Sequence, residues 1–218
     1  MTIKYRFAAA SAAAAVAVAV AIAAGCASAP APVDYDKLAL SMIKSSFRDQ
    51  GSAKLDRLDQ DAVQKACSGA TPPAPDVASK LEAAALATVK PPSAGRYLGD
   101  WKEGEKLAQN GRGMTWTDPA GSPNGGNCYN CHRIAKAEIS YGTLGPSLYN
   151  YGKLRGVKDP ADPSSAAIVQ YTWGKLYNAK AYNACSGMPR FGHENLLTEK
   201  QMQDIMALLL DPKSPVNQ

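Results

Sequence analysis

Two cysteines three positions apart, followed at once by a histidine, constrain this chain more than any other stretch of it: Cys128-Tyr129-Asn130-Cys131-His132. Such spacing puts two thiols one helical turn apart with an imidazole beside them. Three chemistries use that arrangement. A zinc site needs two more ligands, to be drawn from Cys67, Cys185 and His193. A redox dithiol wants a βαβ setting, and no stretch here alternates long enough to predict a sheet. In the third, each thiol adds to a vinyl group of haem and the imidazole approaches the iron, which is the c-type haem attachment signature.

The start of the chain favours the third chemistry. Lys4 and Arg6 precede an alanine-dominated apolar run from Phe7 to Ala24 that ends in small residues, the pattern of an export signal. A retained membrane helix is the competing reading, but alanine contributes little to insertion and the downstream flank is Ala/Pro-rich with no positive stop. Cleavage after Gly25 leaves Cys26 as a lipid-modified first residue, whereas cleavage at Gly25-Cys26-Ala27 does not, and the first is favoured. The expected location is the periplasm, with a tether to a membrane surface if Cys26 is acylated.

In such an oxidising compartment the remaining two of the five cysteines, Cys67 and Cys185, are expected to form a disulfide. Loss of residues 1–26 removes Lys4 and Arg6 and no acid, lowering the net charge from +5 to +3. That is too mild a balance to suggest nucleic acid as a partner.

Helical spacing with polar starts recurs at Tyr35 to Phe47, Asp59 to Cys67 and Asp76 to Val89, after an Ala/Pro linker from Ala27 to Val33. The turn-prone Pro91-Pro92-Ser93-Ala94-Gly95 then predicts a boundary. Beyond it Leu98 to Asn110 reads as an amphipathic helix, Arg112 to Asn127 as a surface loop, and the stretch after Leu197-Thr198 as a helix stopped by Asp211-Pro212. The expected organisation is a signal at 1–26, a linker and helical extension at 27–94 and a haem domain at 95–218. The class is mainly α.

A haem held by His132 needs a second axial ligand or an open face. Of the six methionines, Met1 goes with the signal, and Met202 and Met206 lie on the core face of the last helix. Met188 is the best candidate, because Gly187-Met188-Pro189-Arg190-Phe191-Gly192 is a stiffened irregular loop that can hold a thioether on a metal with little entropic loss. His193 and Met114 are its rivals. Between the motif and that loop, the turn Gly142 to Leu148 offers a carbonyl to the other ring nitrogen of His132, which fixes the ring and raises its basicity.

Taken together, the helix, the haem motif, Gly145-Pro146, the methionine loop and the closing Leu-Thr-x-x-Gln helix resemble a class I cytochrome c over residues 95–211. The stretches Lys54 to Gln64, Gly111 to Thr117, Asn124 to His132, Ser140 to Pro146 and Met188 to Gly192 resemble the SoxX family, the monohaem subunits of SoxAX cytochromes. That resemblance implies a class I cytochrome c fold with a helical N-terminal extension and one covalent haem c on Cys128 and Cys131. It implies His132 and Met188 as the iron's ligands, with Pro146 at the cofactor.

It further implies SoxA as the heterodimer partner, SoxYZ as a transient carrier, and a downstream electron-accepting cytochrome. In that family the complex joins thiosulfate to a carrier cysteine as an L-cysteine S-thiosulfotransferase, with the chemistry assigned to the partner. This chain would relay the electrons released and is expected to have no catalytic residue of its own. The rival expectation is a freestanding periplasmic electron shuttle.

Overall fold

The computed structural model describes residues 32–218, so the export signal and Cys26 lie outside the described residues. Among the described residues there is no strand, only an isolated bridge between Gln50 and Ala53, and the mainly α class holds. No helix among them is long and apolar enough to cross a membrane. The chain divides after Phe47 into two units.

The first unit contributes helix α1 (Tyr35–Ser46), started by Asp34, whose carboxylate accepts the Lys37 amide at 2.9 Å. No residue of α1 is buried.

The second unit, Arg48–Gln218, opens with a 3-10 turn at Leu55–Leu58 and helix α2 (Ala62–Cys67). Helical spacing predicted one helix from Asp59. Instead Asp61 caps α2 through a reciprocal box with Gln64, which sets the start three residues later. Helix α3 (Pro75–Leu86) follows, with proline at its first position, where a missing N–H costs nothing.

Helix α4 (Trp101–Gln109) begins three residues after the expected Leu98. Residues before it are recruited elsewhere: the Gly99 amide donates to the Gln203 carbonyl (2.8 Å) and the Asp100 amide to the Asp204 carboxylate (2.7 Å). Both bonds reach the last long helix, α7 (Glu199–Leu210), which the capping box of Thr198 and Gln201 starts where the sequence places it. Helices α4 and α7 cross at Gly104, where any Cβ would run into the Asp204 carbonyl. Between them in the chain lie the short α5 (Tyr151–Leu154) and α6 (Ala166–Tyr177), whose Val169, Trp173 and Leu176 are buried.

The core runs from Ala108, Tyr129 and Ile134 through α6 to Met202, Met206, Leu208 and Leu210 on α7. Each such fully buried aliphatic side chain contributes about 1.5–3 kcal/mol. The extension from Arg48 onward packs into this same unit. Trp173 Nε1 donates to the Lys90 carbonyl (2.7 Å), and Asn178 donates to Thr88 Oγ1 (3.0 Å). The loop before the haem motif is pinned by it as well: Ser52 Oγ donates to the Thr115 carbonyl (2.8 Å) and Arg57 Nη1 to that of Met114 (3.0 Å).

Candidate functional site

The Cys-x-x-Cys-His run folds as a tight turn. Asn127 enters it in the left-handed conformation, φ 50°, a position that asparagine tolerates better than most residues. Cys128–Asn130 form one 3-10 turn, and the Cys128 carbonyl accepts from the amides of both Cys131 (3.1 Å) and His132 (2.9 Å). Both thiols are thus on one turn, unbonded.

The segment 142–148 is laid back along the turn by three backbone bonds. Gly142 donates to Tyr129 (2.8 Å), Gly145 to Cys131 (2.8 Å) and Leu148 to Arg133 (2.8 Å). This brings the Pro146 carbonyl to 2.7 Å from His132 Nδ1. In the tautomer that donates there, Nε2 keeps its lone pair for a metal. Gly145 lies so close beneath the ring that any Cβ would collide with it. The turn named from sequence therefore does orient the imidazole, through Pro146.

Met188 packs partly buried against the core cluster, as does Cys128. Its loop is braced on both sides. Cys185, three residues before it, is disulfide-bonded to Cys67 at the end of α2. Arg190, two residues after it, is nearly buried and pairs with Asp61 (2.7 Å) and Glu194 (2.7 Å). Burial works against the Asp61 charge, but the Gln64 amide and the Arg190 guanidinium hold its carboxyl below the ordinary value. The two rivals have partners of their own. His193 is exposed beside Glu194 (3.8 Å), and the Met114 sulfur accepts from Arg57 (3.5 Å).

One constellation at the site escaped the sequence. Tyr129, between the two thiols, donates to Glu105 Oε1 on α4 (2.8 Å) and accepts from the Ala135 amide (3.2 Å). The other carboxylate oxygen, Oε2, is buried without a hydrogen-bond partner. Burial pushes the Glu105 carboxyl up, Glu138 adds to this, and the bonds from Tyr129 and Gln109 oppose it. Burial and the Glu105 contact likewise raise the Tyr129 hydroxyl. A glutamate on an amphipathic helix ordinarily faces water, so spacing alone had no reason to turn it inward.

Two of the three chemistries now fall away. The disulfide consumes Cys67 and Cys185, and no cluster of metal-ligating side chains exists among the described residues, so zinc lacks its ligands. Burial pushes the Cys128 thiol up to about 12, the reverse of the depressed thiolate a redox dithiol requires. The donor set that remains is two thiols on one turn and an imidazole with a free, oriented Nε2. It fits covalent haem, and together with an all-helical fold it defines a c-type cytochrome.

Comparison with known proteins agrees. The Cytochrome c family model matches residues 101–212. An uncharacterized lipoprotein of Aquifex aeolicus (strain VF5) is 39% identical over 163 residues, covering 72% of this chain and 73% of that protein. The chain belongs to the cytochrome c family; its function is electron transfer and it carries covalently bound haem c.

Proposed function

We propose that this chain is a monohaem, SoxX-type subunit of a periplasmic SoxAX cytochrome, relaying the electrons released when thiosulfate is joined to the carrier cysteine of SoxYZ. The observation that carries the electron-transfer part is the bracing of both prospective ligands: His132 by Pro146 and Met188 by the Cys67–Cys185 bond and Arg190. When bound, haem c supplies a one-electron Fe(III)/Fe(II) couple. Cys128 and Cys131 hold it through thioethers, and the single Cys-x-x-Cys-His run accounts for one haem. His132, its ring fixed by Pro146, would offer Nε2 to the iron. Met188 would supply a thioether as a second ligand, and a bound iron so saturated would have no position for oxygen or peroxide. A His/Met pair raises the potential and suits outer-sphere transfer.

The SoxAX assignment rests on the sequence resemblance, and the extension that distinguishes SoxX from a plain carrier is built into the haem unit from Arg48 onward. In the resemblance the sulfur chemistry belongs to the partner, which leaves this chain the relay. The lipoprotein relative supports acylation of Cys26 and a membrane-tethered, periplasmic location. The test is recovery of the untagged haem-loaded protein from its native periplasm, followed by thiosulfate-dependent haem reduction. Co-recovery of a second c-type cytochrome, with reduction only when it and the carrier thiol are present, is expected. A lone protein reduced equally by unrelated donors would leave the freestanding shuttle.

A further inference from the structure

Helix α1 carries a face of the kind that elsewhere in this chain is core. Tyr35, Leu38, Ala39, Met42 and Ile43 recur at the i, i+3, i+4, i+7, i+8 spacing of one apolar stripe. Lys37, Ser41, Lys44 and Ser45 occupy the opposite side. On α7 such a stripe is buried almost throughout. On α1 Tyr35 is 73% and Met42 62% exposed, and Leu40 and Phe47 add to the uncovered area. A 12-residue helix is marginal in water on its own, and most helical stability comes from covering an apolar face. No residue of this helix is buried among the described residues.

We propose that α1 is an interfacial helix that lies in the surface of the lipid bilayer, its Leu38–Met42 face in the acyl boundary and its lysines toward anionic headgroups. The proposal rests on the acylation of Cys26 put forward above. Tyr35 lies nine positions after Cys26, and an extended chain spans at most about 3.6 Å per residue. An acylated Cys26 therefore keeps the start of α1 within roughly 30 Å of the bilayer whatever the linker's conformation. At that distance the membrane is present at high effective concentration.

The intervening residues 27–33 carry no charge, and α1 begins on Tyr35, an amphipathic aromatic that settles at membrane interfaces, with apolar Phe47 just past its end. Lys37 and Lys44 lie on the polar face as in other interfacial helices, with Asp34 and Asp36 confined to the cap and first turn. Pinning α1 shortens the effective tether of the haem unit, which begins at Arg48. It would restrict electron exchange to partners that reach the membrane surface.

Every native cysteine of the acylated, haem-loaded chain is chemically occupied, so a nitroxide can be placed on Met42→Cys or Lys44→Cys alone. On vesicles of phosphatidylethanolamine and phosphatidylglycerol, position 42 should be more accessible to oxygen than to an aqueous nickel complex, and position 44 the reverse. In the unacylated Cys26→Ser protein, cosedimentation with the same vesicles should fall roughly tenfold or more on Leu38→Glu/Met42→Glu.

Equal exposure of both labels to water on vesicles overturns the proposal. So does shielding of position 42 in solution without lipid, the result expected if a second copy or a protein partner covers the face. The mass of the N-terminal peptide reports acylation separately, and an unchanged haem spectrum in the α1 variants separates this result from any failure of the electron-transfer reading.

Discussion

At the scale of single residues, the haem motif is a local device and was readable as such, because its chemistry is written within five consecutive positions. The orienting carbonyl was readable as a turn, and the fold narrows it to Pro146, 2.7 Å from His132 Nδ1. Glu105 was not readable, since its burial depends on Tyr129 being turned inward from another element. Its raised carboxyl means the folded state binds that proton more tightly than the unfolded chain does. The associated stability is complete below the unfolded value near 4.5 and is lost as pH rises through the folded one. Glu105→Gln keeps the acceptor for Tyr129 and cannot ionise. The haem-loaded variant should therefore melt at a higher temperature than the parent at pH 8, with the difference vanishing towards pH 4. A difference that stays the same across that range would contradict the assignment.

Among the elements, the helices with a single apolar stripe and clear caps were legible, notably α7 with Thr198 and Gln201. Helix α6 left no periodic signal. Its sequence, Ala-Ala-Ile-Val-Gln-Tyr-Thr-Trp-Gly-Lys-Leu-Tyr, is apolar around most of its circumference because Val169, Thr172, Trp173, Gly174 and Leu176 are all buried. A helix packed on several sides shows no polar stripe to count from. The Cys67–Cys185 link was legible by counting cysteines, but its companion, the Arg190–Asp61 pair, was not, because charge pairing across 129 residues leaves no local trace. The two together hold the Met188 loop to α2. Replacing both cysteines by alanine should cost about 2–4 kcal/mol in denaturant unfolding. It should also weaken the Met188 bond to iron, seen as a partial loss of low-spin character in the haem spectrum. An unchanged spectrum after verified removal would show that the ion pair suffices alone.

Across the whole molecule, the haem unit starts at Arg48 and a short exposed helix precedes it in the chain. The extension read from sequence as a separate stretch up to residue 94 is, from Arg48, part of the haem unit's own packing. It supplies the disulfide partner Cys67, the ion-pair partner Asp61 and the Lys90 carbonyl under Trp173. On the proposed reading, the loop of the second ligand, Met188, is held by residues from before the minimal haem domain. An outer-sphere carrier of this kind would have no open face on its iron. The direct measurement is carbon monoxide titration of the reduced, haem-loaded protein alongside Met188→Ala. The parent should bind no carbon monoxide at concentrations that saturate the variant. Ready binding by the parent would mean that Met188 does not occupy the iron and that the site is built for ligand chemistry instead of electron transfer.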